Sequence, residues 1–359
     1  MATTYKSLLN EDSVSNKTLL HESIPLTGTI VSGTYADNNI KNYSHGIFQS
    51  VYDYPYLSSS ANHVFDVTCG YSSNSSLSKS AGGASGYFSE ADQKKKINVY
   101  NELAQVLVGY DATGSIQEFD EDGDITAGGT KIQEAYFLNF ARLLTKDEIK
   151  KGTFTLQFQT GGANNAVAGI LSIADTNAQN SYKVNSPAGE YGILKVSAKA
   201  GTADTTHTVG DAIGLLYYQA GIAVITASAF TNFGPRDTTV AAWNSLIASQ
   251  FLSGNALSGN CDALRNRFYN VTYNNTTELN STIYFCRANH NEFNYSTNPT
   301  YLSSSQIVVK ENPQDNPISY ITTVGLYSSD NELLAVAKLS EPIRKDPTTE
   351  LNFRVRLDY

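Results

Sequence analysis

Apolar and polar residues alternate most regularly near the end of the chain, between residues 318 and 359. Three apolar runs lie there, separated by turn-forming residues at 328–331 and 340–350. In the third run the apolar residues occupy every second position: Leu351, Phe353, Val355, Leu357 and Tyr359. Strict alternation indicates strands that bury one face. The pattern therefore predicts that the chain ends inside a sheet, which favours an architectural role.

A helical period predicts a few helices in the rest of the chain. The clearest covers residues 90–108, where apolar residues recur every three or four positions and Gly109 marks the end. Residues 238–252 carry one apolar helical face, and residues 262–268 form a shorter candidate. A single helical turn is predicted at residues 147–151.

Strand patterns are more numerous. Residues 152–162 alternate apolar and polar side chains, and strands are also expected at 192–200 and 212–230, with a tight turn at 219–221. The apolar run at 134–144 fits either a strand or a helix. The predicted fold class is mainly β, with β-sandwich-like sheets, two or three helices and an α+β fringe.

Changes in pattern divide the chain into four predicted parts. Residues 1–45 have weak periodicity and predict an N-terminal arm. A β-rich domain is predicted at 46–235, with its one helix near 90–108. A helical segment at 236–270 and a C-terminal β domain at 271–359 follow.

The amino-acid composition narrows the range of functions and partners expected for this chain. The 359 residues carry a formal charge of −9, and only 16% are charged, against roughly 25% in ordinary globular chains. An acidic chain lacks the basic face that nucleic acids and anionic membranes require, so neither is expected as a partner. No apolar run approaches the ~20 residues of a membrane span, and the first residues do not resemble a signal peptide. The 23 tyrosines suit protein contacts.

One acidic string is a candidate metal site. Asp120, Asp122 and Asp124 alternate as Ca²⁺ ligands often do. The EF-hand template fails, because Gly123 stands fourth rather than sixth and Lys131 occupies the twelfth position, where a glutamate is required. An acidic hairpin turn is the favoured interpretation, with a Ca²⁺ site at the three aspartates as the alternative, and no cofactor is expected.

Catalytic motifs are missing from the sequence. There is no GxSxG elbow, no phosphate-binding GxxxxGK[ST] loop and no GxGxxG. The five histidines lack zinc-ligand spacing: His21, His45, His63, His207 and His290. The sequence therefore predicts no enzyme, and it singles out no catalytic or cofactor-binding residue.

The three cysteines are Cys69, Cys261 and Cys286, an odd number without a CxxC pair. Free, buried thiols are the favoured interpretation. A bridge between Cys261 and Cys286 requires that the fold bring them together, which sequence alone does not establish.

Tyrosine and asparagine cluster at residues 291–305. Tyr295 and Tyr301 suggest a sugar-binding face through aromatic stacking. A loop packed against a partner subunit is the favoured alternative, since tyrosine enrichment is equally a mark of interfaces.

Several long segments resemble virion structural proteins of contractile-tailed phages, in particular those of the cyanophage-type myoviruses. They cover residues 8–35, 44–68, 131–154, 210–225, 292–311 and 320–359. The resemblance implies a tail baseplate component, either wedge or peripheral, made in the host cytoplasm and located in the virion tail. Its partners would be other tail and baseplate proteins, in multiple copies of a symmetric assembly. No catalytic motif carries over from these proteins.

Three alternatives stay open beside the baseplate hypothesis. They are a carbohydrate-binding tail module that contacts the receptor, a tail-associated glycan hydrolase, and a structural protein of the head or neck.

Overall fold

The computed structural model describes residues 5–26, 37–78, 90–125, 128–160, 169–201, 207–230, 256–296, 300–303, 306–307, 312 and 314–359. Contacts divide the chain into two compact units. The larger unit is Leu20–Thr277, and the smaller unit combines Met1–Leu19 with Glu278–Tyr359. Segments far apart in sequence thus form the smaller unit together.

Strands dominate both units. In chain order they are β1 (Ser13–Leu26), β2 (Ile40–Asn42), β3 (Gln49–Tyr52), β4 (His63–Tyr71), β5 (Phe119–Asp120), β6 (Lys131–Ile132), β7 (Glu134–Phe140), β8 (Glu148–Ile149), β9 (Thr155–Thr160), β10 (Gly169–Ala174), β11 (Lys183–Ser186), β12 (Gly189–Gly201), β13 (Ala212–Tyr217), β14 (Ile222–Thr226), β15 (Phe268–Ala288), β16 (Leu302–Ser303), β17 (Gln306–Ile307), β18 (Ser319–Tyr327), β19 (Leu333–Lys345) and β20 (Leu351–Asp358).

Helices are few in the described part of the chain. The α-helices are α1 (Glu90–Leu107), α2 (Arg142–Thr145), α3 (Ala178–Ser181) and α4 (Leu257–Arg267), and short 3₁₀ turns cover Asn10–Asp12, Asp37–Asn39 and Ala227–Phe230. Two of the α-helices, α2 and α3, are single turns.

The larger unit is built on one antiparallel sheet. Its strand order is β1-β15-β9-β10-β12-β13-β14-β7-β4-β3-β2, to which this unit contributes residues 20–26 of β1 and 268–277 of β15, while β8 pairs with β15 and β11 with β12. Helix α1 packs on β4, and α4 packs on β4 and β9. The two helices cover one face of the sheet, so the apolar side chains on that face are removed from water.

Close backbone contact fixes helix α1 against the sheet. A Cβ added at Gly70 in β4 would lie 2.4 Å from the carbonyl oxygen of Lys96, so only glycine permits this approach. Tyr100, one turn further along, is buried, and its hydroxyl donates to the carbonyl oxygen of Ile132 at 2.6 Å. The helix is thereby locked to the core by both backbone and side chain.

Strand pairing also builds the described part of the smaller unit, where β15 pairs with β1 as well as with β20. Strand β20 pairs with residues 281–288 of β15, β18 pairs with β19, and β16 pairs with β17, all antiparallel. Strand β20 keeps the predicted alternation: Phe353, Val355 and Leu357 are buried or half-buried, and the residues between them are exposed. Tyr359, the last residue of the alternating series, is exposed.

The prediction of a mainly β fold with few helices is confirmed. Helix α1 matches the predicted segment, and α4 begins earlier than predicted, at Leu257. The run at 134–144 is resolved as strand β7 followed by the single turn α2. The predicted helix at 238–252 lies outside the described residues.

The predicted helical turn at 147–151 is wrong. Glu148 and Ile149 instead form strand β8, opposite Thr276 and Asn275 of β15. A single isolated turn has little intrinsic stability, so pairing with a long neighbouring strand prevails. Two-residue strands such as this one are too short to leave a periodic signal in sequence.

The two contact units have their boundaries after residues 19 and 277. The four parts predicted from the sequence have their boundaries after residues 45, 235 and 270. That these parts are separate domains stays a prediction. Within the predicted arm, Ser13–Leu26 is a regular strand.

Candidate assembly surface

Strands β18 and β19 form a hairpin whose apolar side chains are exposed to solvent. Tyr327 is 46% exposed, Leu333 53%, Leu334 67% and Val336 50%. These four residues are called the hairpin face below. A contiguous exposed apolar patch in a folded protein marks an interaction surface.

The strand register places the four residues on one side of the hairpin. Val336 lies opposite Gly325, and Tyr327 lies opposite Leu333. A bulge at Leu334 lets two consecutive residues of β19 point the same way. A Cβ at Gly325 would lie 3.0 Å from the Tyr327 ring and 3.3 Å from Leu333, so glycine leaves room for these side chains to meet.

Local hydrogen bonds close the turn between the two strands. The Ser328 hydroxyl accepts from the backbone N–H groups of Asp330 and Glu332, each at 3.2 Å. Asn331 has a φ of 63°, a conformation that asparagine tolerates better than most residues. The sequence-predicted turn at 328–331 therefore fixes the register that aligns the face.

A buried lysine anchors the other end of the hairpin. The Lys345 ammonium donates to Asn294 Oδ1 at 2.6 Å, and to the carbonyl oxygens of Asp346 at 2.9 Å and His290 at 3.3 Å. Burial lowers the pKa of Lys345, while the nearby carboxylate of Asp346 opposes this. Because buried charges need such partners, the base of the hairpin has one well-defined geometry.

Residues near the start of the chain complete the smaller unit. Arg287 forms an ion pair with the buried Asp12, and Lys6 Nζ lies 2.5 Å from Glu292 Oε2. The backbone N–H of Leu9 and then the Arg287 guanidinium lower the pKa of Asp12. The Tyr5 ring meets the Tyr327 ring edge-on, with centroids 5.3 Å apart. The hairpin face therefore borders a second exposed aromatic side chain.

The three aspartates of the metal candidate do lie together. One carboxylate oxygen from each of Asp120, Asp122 and Asp124 lies within 4.8 Å of the others, in the β5–β6 hairpin. Lys131 stands directly opposite Asp120 in the register, and its ammonium forms an ion pair with that carboxylate. Burial raises the pKa of Asp120, and a hydrogen bond with Asp120 lowers that of Asp122. The ammonium thus supplies a positive charge to one of the three carboxylates.

The two tyrosines proposed for sugar stacking are partly covered by other parts of the protein. Tyr295 and Tyr301 are both half-buried. The Tyr301 hydroxyl donates to the carbonyl oxygen of Ile318. This contact holds Tyr301 within its own chain, and packing of the segment against a partner subunit stays a prediction.

A polar cavity of about 350 Å³ lies elsewhere, in the larger unit. Neutral polar side chains and one carboxylate line most of it: Ser72, Ser73, Asn74, Tyr100, Asn101, Ser115, Ile116, Gln117 and Glu118. Asn74 Nδ2 donates to Glu118 Oε1 at 3.1 Å, and the Ser72 hydroxyl donates to the same oxygen. Such a lining suits a small hydrophilic ligand.

The histidines are not gathered into a site among the described residues, where the aspartate cluster is the one group suited to hold a metal ion. His63 Nε2 lies 2.8 Å from Asp66 Oδ1, and His21 Nδ1 lies 3.2 Å from Thr276 Oγ1. Each of these two histidines therefore has a nearby polar side chain as its partner.

Comparisons with protein-family models, curated proteins and solved structures give no match to this chain. In the described part of the chain, none of the helices is both long enough and apolar enough to cross a membrane.

Sequence reasoning found the strands of the hairpin but not the exposure of its face. Alternation in β18 and β19 predicts one buried side, and the same pattern arises whether that side is covered by this chain or by another protein. The closely spaced bulky residues Leu333, Leu334 and Val336 are the feature of the sequence that could have indicated this exposed face.

Proposed function

We propose that this chain is a structural subunit of a phage virion, in the tail baseplate as a wedge or peripheral component, and that it acts through protein–protein contacts. The observation that carries the proposal is the exposed hairpin face of Tyr327, Leu333, Leu334 and Val336. The resemblance of residues 292–311 and 320–359 to virion proteins of contractile-tailed phages supports it.

The energetics of the hairpin favour a covering partner. A two-stranded hairpin alone is marginally stable in water. Burying its apolar side chains gains about 25 cal/mol for each Å² removed from water. The surface is therefore suited to become the centre of an interface.

The hairpin segment carries charges of both signs. Residues 319–358 contain five basic and six acidic side chains, so their formal charge is −1 over forty residues, the same density as the −9 of the whole 359-residue chain. Charge therefore does not set this segment apart, and the proposal rests on its exposed apolar side chains. The expected occupant is a neighbouring virion subunit that presents an apolar surface of its own.

Particle incorporation tests the proposal. Leu334→Asp places a charge in the hairpin face, while the control Ser340→Asp places the same charge at an exposed polar position of the same strand. Each variant is supplied during infection by a phage that lacks its own copy, and its amount in purified particles is measured by mass spectrometry. Leu334→Asp should keep the wild-type melting temperature but be depleted from particles, whereas Ser340→Asp should be incorporated normally.

Two results would overturn the proposal. One is equal incorporation of both variants, and the other is absence of the wild-type chain from purified particles. A cryo-EM map of the particle would distinguish a baseplate position from one in the head or neck.

A second candidate function is recognition of a host glycan, and the polar cavity at Ser72 and Glu118 favours it. Hydroxyl, amide and carboxylate groups are the usual hydrogen-bonding partners of sugars. A glycan array with the purified protein tests this function. Binding that is lost in Asn101→Ala, which alters the cavity lining, but kept in Glu102→Gln on the exposed side of the same helix would support it.

A further inference from the structure

Two of the three cysteines lie together in the core of the larger unit. Cys69 is on strand β4 and Cys261 is on helix α4, and both are fully buried. Cys261 Sγ lies 3.3 Å from the carbonyl oxygen of Val67, two residues before Cys69 on the same strand. Val67 and Cys69 lie on the same face of β4, because side chains two positions apart in a strand point the same way, so Cys261 packs against the face that carries Cys69.

The surroundings make the two sulfurs unequal. Burial alone would raise the pKa of Cys69, but the hydrogen bond from Cys261 and the positive charge of Lys96 lower it. Burial raises the pKa of Cys261, and the hydrogen bond to Cys69 adds to this. Lys96 is itself buried, at the place where Gly70 lets helix α1 touch the strand. Cys69 is therefore the better nucleophile of the pair.

We propose that Cys69 and Cys261 form a disulfide bond when the protein meets a peroxide, joining strand β4 to helix α4. The Cys69 thiolate attacks one peroxide oxygen, the O–O bond breaks, and hydroxide leaves and takes up a proton to become water. The Cys261 sulfur then attacks the resulting sulfenic acid, the S–O bond breaks, and a second water leaves. Two electrons pass from the two sulfurs to the peroxide, and hydrogen peroxide is the only co-reactant.

The third cysteine provides a matched control. Cys286 is half-buried on β15, in the part of that strand that belongs to the smaller unit, where it lies opposite Phe353. Burial raises the pKa of Cys286, and the charge of Asp12 adds to this. It is more accessible than the other two but is less easily ionised than Cys69.

Peptide mapping without reductant tests the proposal on the full-length protein. After treatment with hydrogen peroxide, the wild type and Cys286→Ser should both yield a linked peptide that contains Cys69 and Cys261. The closed loop is long, so the oxidised chain should migrate faster on a non-reducing gel and melt several degrees higher than the reduced chain. Dithiothreitol should reverse both changes.

Single variants test the order of attack. Cys261→Ser should stop at a sulfenic acid on residue 69, trapped by dimedone, whereas Cys69→Ser should give no trapped sulfenic acid at residue 261. The proposal is overturned if folded wild-type protein retains free thiols at both positions after peroxide treatment, or if the linked peptide contains Cys286. The peptide map of the wild-type protein distinguishes these outcomes even if one of the variants fails to fold.

Discussion

Asn280 and Tyr359 exchange both of their backbone hydrogen bonds. Tyr359 donates to the Asn280 carbonyl oxygen at 2.8 Å, and Asn280 donates to the Tyr359 carbonyl oxygen at 3.1 Å. This pair continues the β15–β20 ladder, which runs from Ser281 opposite Asp358 to Ala288 opposite Leu351. The side chains reinforce it, because the Ser281 hydroxyl donates to the Asp358 carboxylate.

Deleting residues 351–359 should destabilise the smaller unit. The deletion removes a whole ladder and the buried Val355, and it leaves β15 with an unpaired edge that promotes aggregation. The expected result is loss of soluble protein, measured as the soluble fraction after expression. The control Asn352→Ala changes an exposed side chain of the same strand and should stay soluble. A soluble deletion variant with unchanged hydrogen exchange in β15 would contradict the prediction.

Tyr273→Phe should leave stability unchanged or raise it. The Tyr273 hydroxyl is buried and has no hydrogen-bond partner among the described residues, while its ring packs against Phe140 with centroids 5.4 Å apart. Removing an unsatisfied buried hydroxyl avoids its desolvation cost, so the free energy of unfolding should rise by up to about 1 kcal/mol.

The matched comparison is Tyr218→Phe, because Tyr218 donates to Asp175 Oδ2 at 3.1 Å. Loss of this bond to a carboxylate should lower the free energy of unfolding by about 1–3 kcal/mol. Urea titration of both variants measures the two changes. Equal destabilisation by the two substitutions would count against the assigned hydrogen bonding.

Asp175→Asn should destabilise the protein and alter its pH dependence. The buried carboxylate accepts from the N–H groups of Gly152 at 2.7 Å and Phe154 at 3.0 Å, besides Tyr218. An asparagine amide leaves one of these donors unpaired in either orientation, which costs about 1–3 kcal/mol. Glu102→Gln removes an exposed charge and serves as the control.

The sign of the pH effect follows from the raised pKa. Burial raises the pKa of Asp175 above its ordinary value of 3.8, while its hydrogen bonds oppose this. The folded state then binds more protons than the unfolded state between the two pKa values, so this group makes the protein less stable as pH rises through that window. The stability of the wild type relative to Asp175→Asn should therefore increase as pH falls from about 8 to about 4. A constant difference across this range would contradict the shift.

Ca²⁺ should not stabilise the wild-type protein, because the Lys131 ammonium already neutralises the carboxylate of Asp120. In Lys131→Met the three aspartates lose this charge, so millimolar Ca²⁺ should raise the melting temperature of the variant relative to EDTA. Lys183→Met removes a more distant charge near Asp122 and should behave as the wild type. Stabilisation of the wild type by Ca²⁺ would instead support a metal site at Asp120, Asp122 and Asp124.

Local periodicity in the sequence determined the elements of this protein. Alternation identified β9, β12, β20 and the β13–β14 hairpin, and the helical period identified α1, because the direction of each side chain depends only on residues two to four positions away. Turn chemistry likewise located the reversal at 328–331. The acidic string around Asp122 connects two antiparallel strands, as the hairpin interpretation predicted, and Ca²⁺ binding there stays untested.

Only the tertiary structure decided which residues meet. Lys96 is the last of three consecutive lysines, yet it is buried near Cys69, and Cys261 lies against that strand although almost two hundred residues separate the cysteines. Residues 1–19 join residues 278–359 in one unit for the same reason. Such contacts depend on how strands pair across long stretches of chain, and local patterns carry no information on that pairing. The exposure of the hairpin face is also a property of the folded chain, since alternation shows that a side is apolar but not what covers it.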